Sequence, residues 1–216
     1  MGLPATRLPP VVAAIMALIL TPLANAHPVA YPGAIGVMTW NQSYLADHWL
    51  TYSFSHRFAV AARYMRMTMR DGEFRGYLAQ ADWLLQRWNG ENLQANVYLF
   101  AGGGGMHFDG RNGAWGLTGL EIDAESRSLF GLAKYEGGFP SHGQQFHHGE
   151  FCVGVAPYEA EFDELAAWFM LHFQYHPLLV RNYALTPMAR FYYKNVLWET
   201  GVSFDGDWML NLMFHF

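Results

Sequence analysis

The chain has 216 residues, of which 17% are aromatic and only 14% charged, and its mean hydropathy is +0.01. Soluble domains carry about 25% charged residues, so this composition indicates a surface that faces lipid. The formal net charge of −5 argues against nucleic acid as a partner, and the single Cys152 excludes an intramolecular disulfide.

The first 26 residues have the three parts of a secretory signal peptide. Arg7 precedes an apolar run from Val11 to Leu20, and the segment ends in Ala24-Asn25-Ala26. A basic start, a short apolar run and an Ala-x-Ala ending predict export and cleavage after Ala26. Residues 27–216 then form a single mature domain. An uncleaved N-terminal anchor is the alternative.

Short alternating segments separated by turn residues follow the Pro/Gly stretch that ends at Gly33. No later segment has 18 consecutive apolar residues, which disfavours a helical membrane protein. Alternation with a period of two predicts strands. Twelve are expected, at 34–41, 47–55, 57–69, 73–87, 93–102, 113–123, 128–137, 149–157, 165–175, 182–193, 195–204 and 207–216.

Three regions leave alternatives open. Residues 74–88 and 162–175 fit an amphipathic helix as well as a strand, and the strand interpretation rests on the context of the last strand. As a strand, 74–88 places Gly76, Gln80, Asp82 and Gln86 on the inner face. The alternation within 179–204 changes phase near Lys194-Asn195, which indicates a turn or a bulge. Eight or ten strands are therefore also possible.

The last ten residues alternate strictly and end on an aromatic residue. Met209, Asn211, Met213 and His215 share one face, and the other face carries Trp208, Leu210, Leu212, Phe214 and Phe216. This ending resembles the C-terminal assembly signal of Gram-negative outer-membrane β-barrels. The resemblance implies an all-β fold, a closed antiparallel transmembrane barrel with both termini in the periplasm. It also implies location in the outer membrane, with outer-membrane lipids and the barrel assembly machinery as partners.

Alternate connections of such a barrel would share one rim. The predicted loops at Gly102–Gly113, 138–148 and 176–181 carry imidazole and carboxylate groups, which bind Cu, Ni or Zn when they converge. The candidate metal ligands are His107, Asp109, His142, His147, His148 and His176. The alternative is that they are ordinary polar loop residues.

Methionines and charges are expected inside the barrel. Met65, Met67 and Met69 share one strand face and suit either Cu(I) or an apolar surface. Charges in a narrow lumen must be paired or hydrated, so they indicate either a plugged barrel or a small polar pore. The expected inward acids are Asp82, Glu121, Asp123, Glu150 and Glu199, and the expected bases are Arg63, Arg87, Lys134, Arg190 and Lys194.

No motif predicts catalysis. Neighbouring residues of a strand point to opposite faces, so Ser55-His56 and Ser141-His142 are not expected to form nucleophile–base pairs. The sequence therefore favours a small, non-enzymatic outer-membrane protein, either a narrow pore or a membrane-embedded binding module with a link to transition metals. An outer-membrane lipid-modifying enzyme, a hydrolase or acyltransferase, is the alternative.

Overall fold

Twelve antiparallel strands close into one barrel in the computed structural model, which describes residues 28–216. The predicted signal peptide lies outside the described residues. Within the described part of the chain, no helix is long and apolar enough to cross a membrane. The strands are β1 (Ile35–Gln42), β2 (Leu45–Ser55), β3 (Phe58–Met69), β4 (Gly72–Asn89), β5 (Gln94–Phe108), β6 (Arg111–Glu125), β7 (Leu129–Pro140), β8 (Phe146–Val155), β9 (Ala166–Tyr175), β10 (Tyr183–Tyr193), β11 (Val196–Val202) and β12 (Trp208–His215).

The first and last strands pair and leave the sheet without an edge. β1 pairs with β12 from Gly36 opposite His215 to Gln42 opposite Met209. The Ile35 N–H donates to the Phe216 carbonyl at 3.0 Å, and the Phe216 N–H donates to the Ile35 carbonyl at 2.8 Å. Closure satisfies backbone groups that an open edge would leave unpaired, which is the condition for crossing a bilayer with strands.

The two ends of the barrel differ in which connections they hold. The end that carries residues 28–34 and Phe216, here called the terminal end, also holds the connections 56–57, 90–93, 126–128, 156–165 and 194–195. The opposite or distal end holds 43–44, 70–71, 109–110, 141–145, 176–182 and 203–207.

Alternation of side chains matches a barrel with an apolar outside. In β9, Phe169, Leu171 and Phe173 are exposed outward, whereas Met170 and His172 are buried inside. The expectation of a strand is therefore confirmed over 74–88, and in the segment 162–175 it is confirmed from Ala166 onwards. The phase change near Lys194 is a turn, with Lys194 at φ 54°.

The prediction that Gln86 lies on the inner face of β4 is wrong. A β-bulge between Leu84 and Gln86 shifts the register against β5 and leaves Gln86 exposed. A bulge inserts one residue and moves the following side chains to the other face. Gln80 and Asp82, which precede the bulge, are buried inside as predicted.

The predicted loop at Gly102–Gly113 is also wrong. β5 continues through the glycine run to Phe108, and only Asp109 and Gly110 turn the chain. A Cβ atom at Gly104 would collide with the Tyr77 carbonyl oxygen and lie 2.6 Å from the Leu78 Cα. Glycine is required there because the backbone of β4 approaches too closely for a side chain. The next predicted loop, 138–148, likewise shortens to 141–145.

Apolar side chains fill the distal half of the interior. Met65, Met67 and Met69 all point inward and are buried in this distal apolar cluster. The other members are Leu45, Phe74, Leu78, Phe100, Met106, Trp115, Leu117, Phe146 and Leu179. The methionines therefore fill irregular core space, as flexible side chains do. Nearer the terminal end, charged side chains lie among further buried apolar ones, such as Cys152, Met188 and Met209.

Candidate functional site

A cavity of about 460 Å³ occupies the polar part of the lumen. Its wall reaches exposed residues of the terminal end, such as Arg127 and Tyr158, and extends up to Gln42 and His176. His176 is the one residue of the described distal connections that contributes to the wall. The cavity therefore communicates with the terminal end and reaches the distal end beside the apolar cluster, whose Leu45, Met65 and Met67 form part of its wall.

A buried arginine joins four strands in the middle of the lumen. Arg63 of β3 donates to both carboxylate oxygens of Asp47, from Nε at 2.8 Å and from Nη2 at 2.7 Å. It also donates to Glu136 of β7 at 2.8 and 3.1 Å, and to the Gln80 side chain at 3.0 Å. Arginine suits this position because its planar donors engage two carboxylates at once.

Lys134 lies one inward position from Glu136 on β7 and extends over aromatic rings. Its Nζ lies 5.3 Å from the ring centre of Trp49, 5.6 Å from that of Phe100 and 5.9 Å from that of Trp40. Ring faces are negative and attract cations at these distances. The register places Glu121 beside it on one neighbouring strand and Glu150 on the other.

Three histidines gather around Glu150. His148 Nε2 lies 3.3 Å from Glu150 Oε1, and His172 Nε2 lies 3.7 Å from Oε2. The His176 ring, just beyond β9, lies 5.4 Å from that of His148 and stacks on Phe146. Burial lowers the pKa of His176 to about 3, with the neighbouring His148 adding to the effect. Both ring nitrogens of His176 lack a hydrogen-bond partner among the described residues.

Arg190 and Glu199 form a second pair nearer the terminal end. Arg190 Nε donates to Glu199 Oε1 at 2.6 Å, and Asn211 donates to the other carboxylate oxygen at 2.8 Å. The Arg190 guanidinium also lies 4.1 Å from the centre of the Phe130 ring. The charged side chains of the lumen thus form successive levels along the barrel axis, around Arg63, Lys134 and Arg190. Each level joins side chains from different strands.

Segment 176–182 crosses the distal mouth. It leaves β9 and reaches β3, on the far side of the barrel, where Leu179 forms a bridge with Met69. The Arg70 N–H donates to the Leu178 carbonyl at 3.1 Å, and the Arg70 and Asn182 side chains are hydrogen-bonded. Arg181 pairs with Asp205 at 3.2 Å in the neighbouring connection. These contacts hold the segment over the apolar cluster.

No family model and no curated protein matches this chain. Among solved structures, it is similar to the KdgM porin in complex with disordered oligogalacturonate, with a TM-score of 0.50 and 10% identity over 85% of this chain and 99% of the porin. The fold is that of an outer-membrane β-barrel. Another KdgM porin structure matches with a TM-score of 0.46 and 9% identity, over 85% of this chain and 99% of that chain. OccAB1 of Acinetobacter baumannii matches with a TM-score of 0.40 and 7% identity, over 80% and 57%.

The candidate metal ligands occupy several places on this outer-membrane barrel. His148 and His176 meet inside the lumen. His147 is exposed outward against Tyr135, at 2.5 Å from its hydroxyl, and His107 is exposed beside Asn112. Asp109 lies in the β5–β6 turn at φ 49°. His142 belongs to the 141–145 loop.

Within residues 28–216 no group of three His, Cys, Asp or Glu residues has a geometry suited to a metal ion. Binding of Cu, Ni or Zn by the candidate ligands stays a prediction.

Ser141 and His142 differ from the sequence-based expectation. They lie in a loop rather than a strand, so their side chains meet, with Oγ and Nδ1 3.3 Å apart. His142 Nε2 lies 3.3 Å from the Arg111 carbonyl oxygen, and Ser141 Oγ accepts from the Ala114 N–H at 3.1 Å. A nucleophile–base pair is normally oriented by a carboxylate or amide side chain, whereas a backbone carbonyl faces the imidazole here. The enzymatic alternative stays a prediction.

The predicted inward charges were incomplete. Asp47 and Glu136 are the partners of Arg63, and neither was among the expected acids. Glu136 lies two positions after Lys134 in β7, so both side chains are on the same face of the strand. The alternation of β7 could therefore have predicted that Glu136 faces inward. Lys194, expected inside, lies in the β10–β11 turn over the Tyr193 ring.

Proposed function

We propose that this chain is a small pore of the Gram-negative outer membrane. The observation that carries the proposal is a charged cavity of about 460 Å³ inside a closed barrel whose outward face is apolar. Barrels of about eight strands are filled by their own side chains, whereas wider ones leave room for solutes. Twelve strands lie between the roughly eight of a filled barrel and the roughly 16 of a porin with a wide channel, and suit a narrow channel.

Orientation follows from the usual topology of such barrels, in which the termini lie in the periplasm. The cavity then faces the periplasm, and segment 176–182 covers the extracellular mouth. Passage of a solute requires this segment to move. Its polar anchors are the Met69–Leu179 bridge, the contacts of Arg70 with Leu178 and Asn182, and the ion pairs of Arg181 with Asp205 and Asp207. Loops held by a few contacts open at a modest free-energy cost.

Planar-bilayer recording tests the proposal. Purified protein should give small, infrequent conductance steps, and replacing residues 177–181 by two glycines should make the steps larger and more frequent. A control replaces residues 142–144 of the distal loop 141–145 by Gly-Ser-Gly, which keeps the length of that loop and leaves the mouth covered by segment 176–182. A correctly folded barrel that shows no steps in any of the three forms would contradict the proposal.

The cavity does not suit oligogalacturonate, which is bound in the KdgM porin complex. Oligogalacturonate is a polyanion, and a wall that holds it needs an excess of positive charge. The cavity described above carries more carboxylates than cations. The charge of the wall therefore favours cationic solutes over polyanions.

A further inference from the structure

We infer that the lumen selects small cationic solutes that carry ammonium or guanidinium groups. The inference rests on the proposed pore function and adds the class of solute. It is carried by the charge of the cavity wall, by buried acceptors without partners, and by the aromatic surface between them.

The cavity wall has an excess of negative charge. Three cationic residues line it, Arg127, Lys134 and Arg190. Six carboxylates line it: Asp47, Glu121, Glu125, Glu136, Glu150 and Glu199. Arg63, immediately behind the wall, adds one more positive charge. In a water-filled tunnel with low-dielectric walls, such an excess concentrates cations and repels anions.

The excess is located in the middle of the lumen. Arg63 faces two carboxylates, and Arg190 faces one. Lys134 lies between Glu121 and Glu150 on the adjoining strands. The Arg63 and Lys134 levels therefore each carry one carboxylate more than they carry cations.

Glu150 is the best-placed of these carboxylates. Among the described residues, its ion-pair partners within 4 Å are the imidazoles of His148 and His172, which are uncharged donors when neutral. The Lys134 ammonium lies over the rings of Trp40, Trp49 and Phe100. A negative oxygen in the wall thus stands beside an aromatic surface that stabilises cations.

Buried acceptors without partners point in the same direction. The side-chain oxygens of Gln174 and Asn211, and Nδ1 of His172, have no hydrogen-bond partner within the described part of the chain. All three residues line the cavity and are at least nine-tenths buried. Buried polar groups are normally satisfied, so these atoms mark places where a donor-rich solute can bind. Ammonium and guanidinium groups carry several N–H donors and no acceptor.

The test uses the full-length mature barrel, with residues 177–181 replaced by two glycines so that steps are frequent. Reversal potentials are measured in a tenfold potassium chloride gradient, and then with arginine chloride opposite potassium chloride. We expect potassium to pass more readily than chloride, and the arginine cation to carry measurable current. The preference should fall as salt rises from 0.1 to 1 M, because the screening length shortens from about 10 to 3 Å.

Glu150→Gln removes one wall charge with little change in shape. The ratio of cation to anion permeability should fall about twofold. A unit charge about 8 Å away changes the cation and anion populations in opposite senses, by about 1.5-fold each once screening at 0.1 M salt is included. Glu73→Gln is the matched control, because Glu73 faces outward at the start of β4 and pairs with Arg75. This control should leave the ratio unchanged.

The outcomes separate the two claims. Conductance steps without cation preference, or a preference for chloride, overturn the selectivity and leave the pore in place. An unchanged ratio in Glu150→Gln also overturns the assignment of the charge. A folded barrel that never conducts overturns the pore, and the selectivity with it.

Discussion

Arg63 shows how a single residue organises the lumen. Its guanidinium satisfies Asp47, Glu136 and Gln80, which come from three other strands, and it lies over the Trp49 ring at 4.5 Å. Buried carboxylates are tolerated only when paired and hydrogen-bonded. The position of this one cation therefore decides whether a carboxylate of β2 and a carboxylate of β7 can both be buried in the interior.

Arg63→Met should leave Asp47 and Glu136 buried beside each other without a cation. We expect a loss of about 3–5 kcal/mol in the free energy of unfolding, measured by urea titration in detergent. Arg63→Lys keeps the charge but loses the bidentate contacts, so its loss should be smaller. Arg66→Met is the control, because Arg66 is exposed on the outer face of the same strand. Equal losses at both positions would contradict the account.

His176 makes closure of the distal mouth sensitive to acid. The buried ring has a pKa of about 3, whereas an exposed imidazole titrates near 6.5. Below pH 6.5 the open or unfolded form binds a proton that the closed form does not. Stability is therefore lost as pH falls from about 6.5 towards 3, by about 2 kcal/mol at pH 5. His148 and Glu136 face the same ring and act on its charge in opposite senses.

His176→Phe should remove this dependence, because a phenyl ring can stack on Phe146 without binding a proton. The measurement compares urea midpoints at pH 7.5 and pH 5. His56→Phe, in an exposed turn at the terminal end, is the control and should behave as wild type. If His176→Phe loses as much stability at pH 5 as wild type, another group is responsible.

At the scale of the element, the glycine run of β5 decides how closely two strands can pack. Gly104 faces inward against the backbone of β4, whereas Gly103 faces outward, with its nearest neighbour 3.6 Å from a Cβ atom. Gly104→Ala should therefore force β4 and β5 apart and destabilise the barrel by about 1–3 kcal/mol. Gly103→Ala should change stability by less than about 0.5 kcal/mol. Urea midpoints of the two variants make the comparison, and similar midpoints would rule out close packing as the reason.

At the scale of the whole molecule, the last residue takes part in closing the barrel. Phe216 exchanges two backbone hydrogen bonds with Ile35 and ends the pairing of β1 with β12. Deleting it should lower the amount of assembled barrel in the membrane, seen as loss of the form whose gel mobility changes on boiling. Phe216→Tyr keeps the backbone and the aromatic ring and should assemble normally. Normal membrane levels of the deletion variant would count against a role for the terminal residue.

Local alternation predicted twelve strands and most of their inner and outer faces, with Gln86 and Lys194 as exceptions. The closed antiparallel barrel was implied by the resemblance of the last strand to an outer-membrane assembly signal. Period-two patterns of apolar side chains are a property of each segment, so β12 could be identified without knowing its partners. The segment that forms β9 also fitted a helix, and the context of β12 decided for a strand. The same local information predicted that Asp82, Glu150 and Glu199 face inward. It could also have predicted this for Glu136, which shares a strand face with Lys134.

Only the tertiary structure decided which side chains meet. Arg63 bonds to Asp47 and Glu136, which lie 16 and 73 positions away in the chain. Segment 176–182 crosses to β3, and His176 joins His148 inside the lumen while His107 and His147 stay outside. The pairing of β4 with β5 turned a predicted glycine loop into strand. These outcomes depend on register, barrel closure and the path of a loop, which involve residues far apart in sequence, so periodicity within one segment carries no information about them.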